Sequence, residues 1–521
     1  MDDKPVFSSS NNSSSVPPPQ SPPVSGEPVT SVPPLESKPN PWEPPVTKPE
    51  PVAPTPGTIP QENPFSPPAP SQEVYRPLSG EPTAPPPPHS SFFSLGKIVK
   101  ILIGLVGVFL LFLLIFKVIP GFFSGSSGKV TITYWGLWED SPVMQTVIAD
   151  FERQNPNIKI DYSKQDVKQY REKLTTKIQN GTGPDIFTIH NSWLPMFKTT
   201  LAPVSQDAIT KDDFLKNFYP VAQKDLVRNG AIYAVPLEID TLSMYVNSGL
   251  LQAAGISVPT NWQDFITVAR QLTVKDQSGK IQTSGAALGT FDNITHAPDI
   301  ISLFLAQNGA NLTDLASTPT QVSDALKFYS SFAKDEGKVW DTTLDPSISS
   351  FAKGNLAIYF GYSWDFFAIK AANPNLQFGI VPVPHLPGQN QTIASYWAAG
   401  LSIKSRHQKE AFLFMKYLIQ KDTEQKLYAA ESKTRFFGEP YARVDLAQSL
   451  KDNPVIFPFV SQAPQAVSSF FASDTFDNAL NSQMNTYLGN AVRSILNDTS
   501  PQSAADTLIK GVSQVLTQYG K

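Results

Sequence analysis

The sequence predicts an α/β domain standing behind a single membrane-spanning helix. Three observations carry this expectation. Strand-like and helix-like hydrophobic periods alternate from about residue 129 onward, the pattern of a parallel, doubly wound sheet. A run of about 20 apolar residues, the length that crosses a bilayer core, precedes that region. Finally, 28 of the 49 prolines fall in the first ninety residues, a stretch without aliphatic periodicity that cannot offset the entropy of folding.

In chain order, residues 1–96 read as a disordered Pro/Ser-rich tail. Residues 97–119 contain IVKILIGLVGVFLLFLLIFKVI, apolar except for Lys100 and Lys117 near its ends. Those lysines can snorkel to the headgroups, and Pro120 with Gly121 stops the helix. A cleaved signal peptide is the other reading, but the preceding region is too long for an n-region and no A-x-A-like site follows. Residues 120–128 form a Ser/Gly linker. Lys97 and Lys100 on one side balance Lys117 and Lys129 on the other, so the positive-inside rule leaves orientation undecided.

The domain proper spans 129–521. Val130, Ile132 and Tyr134 alternate as one face of a first strand. Ser141 is expected to cap a helix with Pro142 in its first turn, and Val143, Met144, Val147, Ile148 and Phe151 form its apolar stripe. A strand through Ile158, Ile160 and Tyr162 follows, then a helix through Tyr170, Leu174 and Ile178, then the strand DIFTIH from Asp185 to His190. Farther on, Thr260 and Gln263 read as a capping box before Trp262, Phe265, Ile266, Ala269 and Leu272. Residues 409–420 read as another amphipathic helix. In open α/β sheets ligands bind beyond the carboxyl ends of strands. The corresponding loops, Trp135 to Asp140, His190 to Trp193 and Tyr362 to Asp365, are rich in aromatic and polar residues.

Composition closes off several classes of function. The first ninety residues hold 4 basic and 9 acidic side chains, leaving 37 basic (41 less 4) against 36 acidic (45 less 9) for the rest. A near-neutral domain offers no electrostatic footprint for nucleic acid. The absence of cysteine excludes disulfides, thiol catalysis and a cysteine-linked lipid anchor. Five scattered histidines with no His-x-x-x-His pair give no support to a metal site, and no cofactor is expected.

Five segments then carry a resemblance. YWGLWEDSPVMQTVIADFERQNPNIKI opens the domain, and GTGPDIFTIHNSW carries a G-x-x-PD strand. AIYAVPLEIDTLSMYVNSGLLQAAG, FAKGNLAIYFGYSWD with its GxW tryptophan, and AAGLSIKSRHQKEAFLFMKYL follow in order. Together they resemble the extracellular solute-binding proteins of family 1, the group that includes maltose-binding protein, over nearly all of residues 129–521.

The resemblance implies a type II periplasmic-binding-protein fold of two hinged lobes, about 129–239 with 386–445 and about 240–385 with 446–521. It implies a carbohydrate, mono- or oligosaccharide, captured for ABC permease subunits. It also implies a domain outside the cell membrane, and hence a single-pass topology with the N-terminus inside. Family members are usually released or lipid-anchored, so an uncleaved helix and a long tail are departures.

Sugars present hydroxyls that need donors and acceptors and flat faces that stack on aromatic rings. Carried over by the resemblance, the candidate ligand contacts are Trp138 and Glu139 after the first strand, Asn191 and Trp193 after the third, Glu238 and Asp240 at the first crossover, Trp364, Trp397 and Arg435. Each has a plainer reading: core packing for the tryptophans, a helix N-terminus for Glu139, an acidic partner for Arg435. Two other functions stay open, a sensor signalling to a membrane partner and a glycoside hydrolase using Glu238 with Asp240 or Glu139 with Asp140.

Overall fold

The computed structural model describes residues 129–334 and 337–520. The tail, the apolar run at 97–119 and the linker lie outside the described residues. Among the described residues no helix is long and apolar enough to cross a membrane.

Strand β1 (Val130–Gly136) leads into α1 (Ser141–Gln154), whose Val143, Met144, Val147, Ile148 and Phe151 are buried at helical spacing. Ser141 is the first helical residue rather than the cap. Asp140 holds the extended cap position without a side-chain bond to the helix, because its carboxylate accepts from Lys164 Nζ at 2.7 Å instead. Then come β2 (Ile158–Lys164), α2 (Tyr170–Gln179), β3 (Ile186–His190), β4 (Ala234–Pro236), β5 (Asp240–Thr241) and β6 (Ser243–Asn247). Helix α3 (Trp262–Gln271) is capped by Asn261, not by a Thr260–Gln263 box. Asn261 Oδ1 accepts from Asp264 N at 2.9 Å and its Nδ2 donates to Asp264 Oδ2 at 2.7 Å, so the reciprocal bonds sit one residue further on.

The second half contains β7 (Val274–Lys275), β8 (Ile281–Ala286), α4 (Ala297–Gln307), β9 (Leu356–Gly361), β10 (Phe378–Val381), β11 (Thr392–Ser395) and β12 (Trp397–Leu401). It ends with α5 (Gln408–Leu418), α6 (Lys421–Glu431), β13 (Ala466–Val467), α7 (Leu480–Leu496) and α8 (Pro501–Gln518). The chain is α/β throughout.

Two five-stranded sheets organise two lobes, in the orders β2-β1-β3-β12-β4 and β10-β6-β9-β8-β7. They are mixed rather than wholly parallel. β1 runs parallel to β2 and β3, whereas β12 is antiparallel to both β3 and β4. The reason is topological: β12 enters the first sheet from the other lobe, travelling against the strands that started there.

Each sheet has its own apolar core. Tyr134, Phe151, Phe187 and Phe414 belong to one, and Trp262, Phe265, Tyr329 and Phe360 to the other. A fully buried side chain of this size contributes about 1.5–3 kcal/mol, so either core can hold its own lobe. Core membership changes between Ile239 and Leu242 on the outward crossing and between Ile393 and Ala394 on the return, against a return expected at about 386.

A three-stranded sheet, β13-β11-β5, joins the lobes. Ser395 lies opposite Asp240 in its antiparallel pair, and Thr392 lies opposite Ala466 in its parallel one. Its strands are only two to four residues long, so few hydrogen bonds resist a change in the angle between the lobes.

Candidate functional site

Tight packing brings three tryptophans of the first lobe together. The loop after β1 is pinned by Tyr162, whose hydroxyl donates to the Glu139 carbonyl at 2.6 Å. This leaves Trp138 38% exposed, edge-on to Trp397 at 5.4 Å between ring centroids. Trp397 in turn meets His190 at 5.1 Å and Trp193 at 5.2 Å. Edge-to-face contacts of this kind fix ring orientation.

His190 is held by two serines, Nδ1 to Ser192 Oγ at 2.7 Å and Nε2 to Ser395 Oγ at 3.0 Å. Burial pushes its pKa down to about 3, so it is a neutral packing residue. Trp193 has no exposed surface. Its indole N–H donates to Asn481 Oδ1 at 3.1 Å, and Ser192 Oγ donates to the same oxygen at 3.0 Å. Asn481 lies in α7 of the second lobe, so Trp193 is spent on a lobe-to-lobe contact.

Asn191 turns another way. Its Nδ2 donates to Asp225 Oδ2 at 3.1 Å and to Ser468 Oγ at 2.9 Å, while the Tyr396 hydroxyl reaches the same Asp225 oxygen at 2.8 Å. Neighbouring residues of an extended strand point to opposite faces. Tyr396 and Asn191 therefore share Asp225, whereas Ser395 pairs with His190 through its side chain and lies opposite Asp240.

Asp240 lies in the hinge itself, 1% exposed. Its Oδ2 accepts from Ser363 N at 2.8 Å and its Oδ1 from Thr241 N at 2.8 Å. Burial nevertheless raises it to about 8. Ser363 belongs to the turn after β9, so Asp240 ties the crossing strand to the loop that carries Trp364.

Trp364 is half-buried and stacks on Tyr362 at 4.5 Å with 17° between planes. Tyr362 donates to Asp299 Oδ1 at 2.9 Å. Behind them His296 bonds Asp365 Oδ2 at 2.8 Å and Ser473 Oγ at 2.7 Å. Burial opposes a charge on His296, but Asp365, Asp474 and Asp299 outweigh it and lift the pKa to about 9. Asp365 Oδ2 also accepts from the Tyr359 hydroxyl at 2.9 Å and from Tyr362 N at 3.0 Å. Gly361 makes room for this carboxylate, since a Cβ there would fall 2.2 Å from Asp365 Oδ2.

A third group is acidic. Glu238 Oε1 accepts from Trp397 N at 3.2 Å, and burial, then Glu439 and Glu139, push its pKa well up. Burial and Glu439 also raise Glu139 to about 7. Arg435 bonds Glu431 at 3.0 Å and Glu439 at 2.7 Å, with its guanidinium 5.5 Å from the Phe367 ring centre. Its charge is engaged by acids rather than free.

A strap, residues 473–478, runs along the second lobe into α7. Asp474, Phe476 and Asn478 adopt φ of 55°, 50° and 47°, left-handed values that side chains disfavour. The strap is held from both sides. Asp477 accepts from Asn481 N at 2.7 Å and Ser482 N at 3.0 Å, and the Arg171 side chain of the first lobe donates to the Asp477 carbonyl.

Of the nine residues expected from sequence, then, Trp138, Trp193 and Trp397 form one cluster. Glu139, Glu238 and Arg435 meet in a second, and Asp240 and Trp364 in a third. Asn191 is bonded to Asp225 and Ser468 apart from all three. Sequence reasoning missed His296, Tyr362, Glu439 and the strap. The loop 362–365 was singled out and contains Tyr362 and Asp365, whereas nothing around His296 or Glu439 stands out as a pattern.

Comparison with known proteins agrees with this architecture. The family model described as bacterial extracellular solute-binding protein matches residues 136–425. The multiple sugar-binding protein of Streptococcus mutans is 26% identical over 317 residues, 58% of this chain and 73% of that one. The maltotriose-binding protein of Pyrococcus abyssi is 27% identical over 127 residues, 24% of this chain and 27% of that one. Among solved structures, a cyclo/maltodextrin-binding protein complexed with maltotetraose superposes with a TM-score of 0.61 at 20% identity, over 75% of this chain and 98% of that one. The sugar-binding protein MalE of Xanthomonas citri gives 0.61 at 21% identity, with the same coverage.

Proposed function

Because this chain belongs to the bacterial extracellular solute-binding protein family, we propose that it captures a carbohydrate between its lobes and hands it to the permease of an ABC importer. The observation that carries this reading is a pair of lobes, each with its own core and each bearing aromatic side chains in the loops after its strands, joined by very short strands. Trp138 on one lobe, 38% exposed and backed by Trp397, and Trp364 on the other, backed by Tyr362, offer flat faces for sugar C–H groups. Glu139, Glu238 and Asp240 offer acceptors for hydroxyls. The names of the similar proteins, sugar- and maltotriose-binding, point the same way.

In this reading an open form exposes both walls, and a sugar that touches both stabilises the closed form by its differential affinity for it. The apolar run at 97–119 holds the domain at the outer face of the cell membrane, with the proline-rich tail inside. Trp193 and Asn191 act indirectly, the first by bonding the lobes and the second by bracing the hinge.

Thermal unfolding of the full chain, purified in mild detergent, against mono- and oligosaccharides tests the reading. A ligand at about 100 times its Kd adds about 2.7 kcal/mol of apparent stability. A sugar-dependent shift abolished by Trp364→Ala supports both function and site. A folded protein that no sugar shifts sinks the carbohydrate reading.

A further inference from the structure

A cavity of about 460 Å³ lies apart from the tryptophans, about three times the ~150 Å³ that admits a benzene ring. None of Trp138, Trp364 and Trp397 lines it, and of the nine candidate contacts Asn191 alone does. Its walls come from both lobes and from the crossing between them. Leu194 and Val221 belong to the first core and Ala306 and Ala310 to the second, while Val467 is in β13 and Gln391 directly precedes β11. The charge on these walls is mostly positive. Asp225 is the one acid among the lining residues, and its Oδ2 already accepts from Asn191 Nδ2, the Ser468 hydroxyl and the Tyr396 hydroxyl. Lys224 and Arg228 line the cavity beside it, and neither forms an ion pair among the described residues. Arg228 acts on Asp225 only through space. Its Nη1 donates to the Lys224 and Val227 carbonyls, which brace the guanidinium without neutralising it. Gln391 adds an amide oxygen that is buried with no hydrogen-bond partner, an acceptor that the protein itself leaves unserved.

We propose that this cavity binds a small organic anion, a carboxylate or phosphate on an apolar body, and that its occupancy favours the arrangement in which the lobes are joined. A guanidinium pairs with two oxygens of a carboxylate or phosphate at once, and Lys224 supplies a second positive charge. The aliphatic walls suit the body of such a ligand, as apolar linings with a few placed polar groups do in small-molecule sites generally. The effect on the lobes follows from where the walls come from. A change in the angle between the lobes changes the separation of Val221 from Ala310, so a ligand touching both binds one angle better than others and shifts the population toward it. The angle that forms this cavity is the one in which Trp193 bonds Asn481 across the lobes. An effect of the anion on sugar affinity rests on the carbohydrate-capture reading; the anion site itself does not.

Calorimetric titration of the full chain in mild detergent with phenyl phosphate, benzoate and neutral benzyl alcohol tests the site. At least one of the anions is expected to bind with a Kd of about 1 mM or tighter, at least about tenfold tighter than benzyl alcohol. The double variant Lys224→Gln with Arg228→Gln changes side chains at the rim rather than in either core, and should erase that preference. Comparing the two anions shows whether carboxylate or phosphate is the better fit. Equal binding of all three probes, no binding by either anion, or an undiminished preference in the double variant overturns the site. The coupling has its own readout: the Trp193 indole N–H should exchange with solvent more slowly when the tighter anion is bound, and an unchanged rate overturns the effect on the lobes. Anion binding lost in the double variant, in a protein that no sugar shifts, supports this site and sinks carbohydrate capture. Where a sugar does bind, the anion should raise its affinity, and the sugar should raise that of the anion by the same factor.

Discussion

Raising the pH from 6.5 to 8 should destabilise this protein markedly, because the titrations displaced into this window act in the same direction, while His190, pushed down to about 3, opposes them only weakly above 6.5. Asp240 is lifted by burial from 3.8 to about 8. Between those values the folded state holds a proton that the unfolded chain has released, so stability falls as pH rises toward 8. His296 is lifted from 6.5 to about 9 by Asp365, Asp474 and Asp299 against the effect of burial. Its stabilisation is complete below 6.5 and is lost as pH climbs through 9. In the window from 6.5 to 8 these two groups therefore hold about one and a half more protons in the folded state than in the unfolded one. A bound proton contributes about 1.36 kcal/mol per pH unit, so the two groups together give up about 3 kcal/mol over 1.5 units. Urea unfolding at pH 6.5, 7.25 and 8 measures the slope, since the midpoint follows stability when the m-value is constant. His296→Gln should roughly halve the slope by removing one of the two groups. A midpoint that stays level or rises between pH 6.5 and 8 would refute the reasoning, and so would an unchanged slope in His296→Gln.

Three substitutions separate packing from binding. Trp193→Phe keeps the buried ring but deletes the N–H that meets Asn481, and should lower stability by about 1–2 kcal/mol, read as a lower urea midpoint. Trp138→Ala removes a ring that is 38% exposed; the urea midpoint should move by no more than about 1 kcal/mol, while calorimetry should show ligand affinity falling at least about tenfold. Gly361→Ala puts a methyl against the Asp365 carboxylate, which must move away from His296. It should cost about 1–3 kcal/mol and flatten the pH slope much as His296→Gln does, a coupling that simple overpacking elsewhere in the sheet would not produce.

The fold was legible where periodicity alone determines structure. The stripe of α1 and the strands flanking it sit where their apolar spacing puts them. Helix starts were less legible, because capping is a competition between partners: Asp140 is drawn off by Lys164, and Asn261 outbids Thr260 for the cap of α3. Strand direction was not legible at all. Nothing local in WAAGL reveals that it enters the first sheet from the opposite lobe; that depends on where the chain was last, not on its residues.

The same distinction governs the site. Tryptophan near strand ends marks the candidate region, because there are only 8 in the chain and its chemistry suits a sugar. Which face each side chain takes is decided by contacts more than a hundred residues away. Asn191 and His190 are neighbours, yet one is claimed by Asp225 and Ser468 and the other by Ser395. Trp193 is drawn out of reach by Asn481, 288 positions later. These long-range claims give the hinge its function. Asp240 and Ser363, Trp193 and Asn481, and Arg171 and Asp477 each bond one side of the crossing to the other. On the capture reading, opening the lobes breaks some of these bonds at about 0.5–1.5 kcal/mol apiece, and a ligand touching both lobes adds its own contacts on the side of closure.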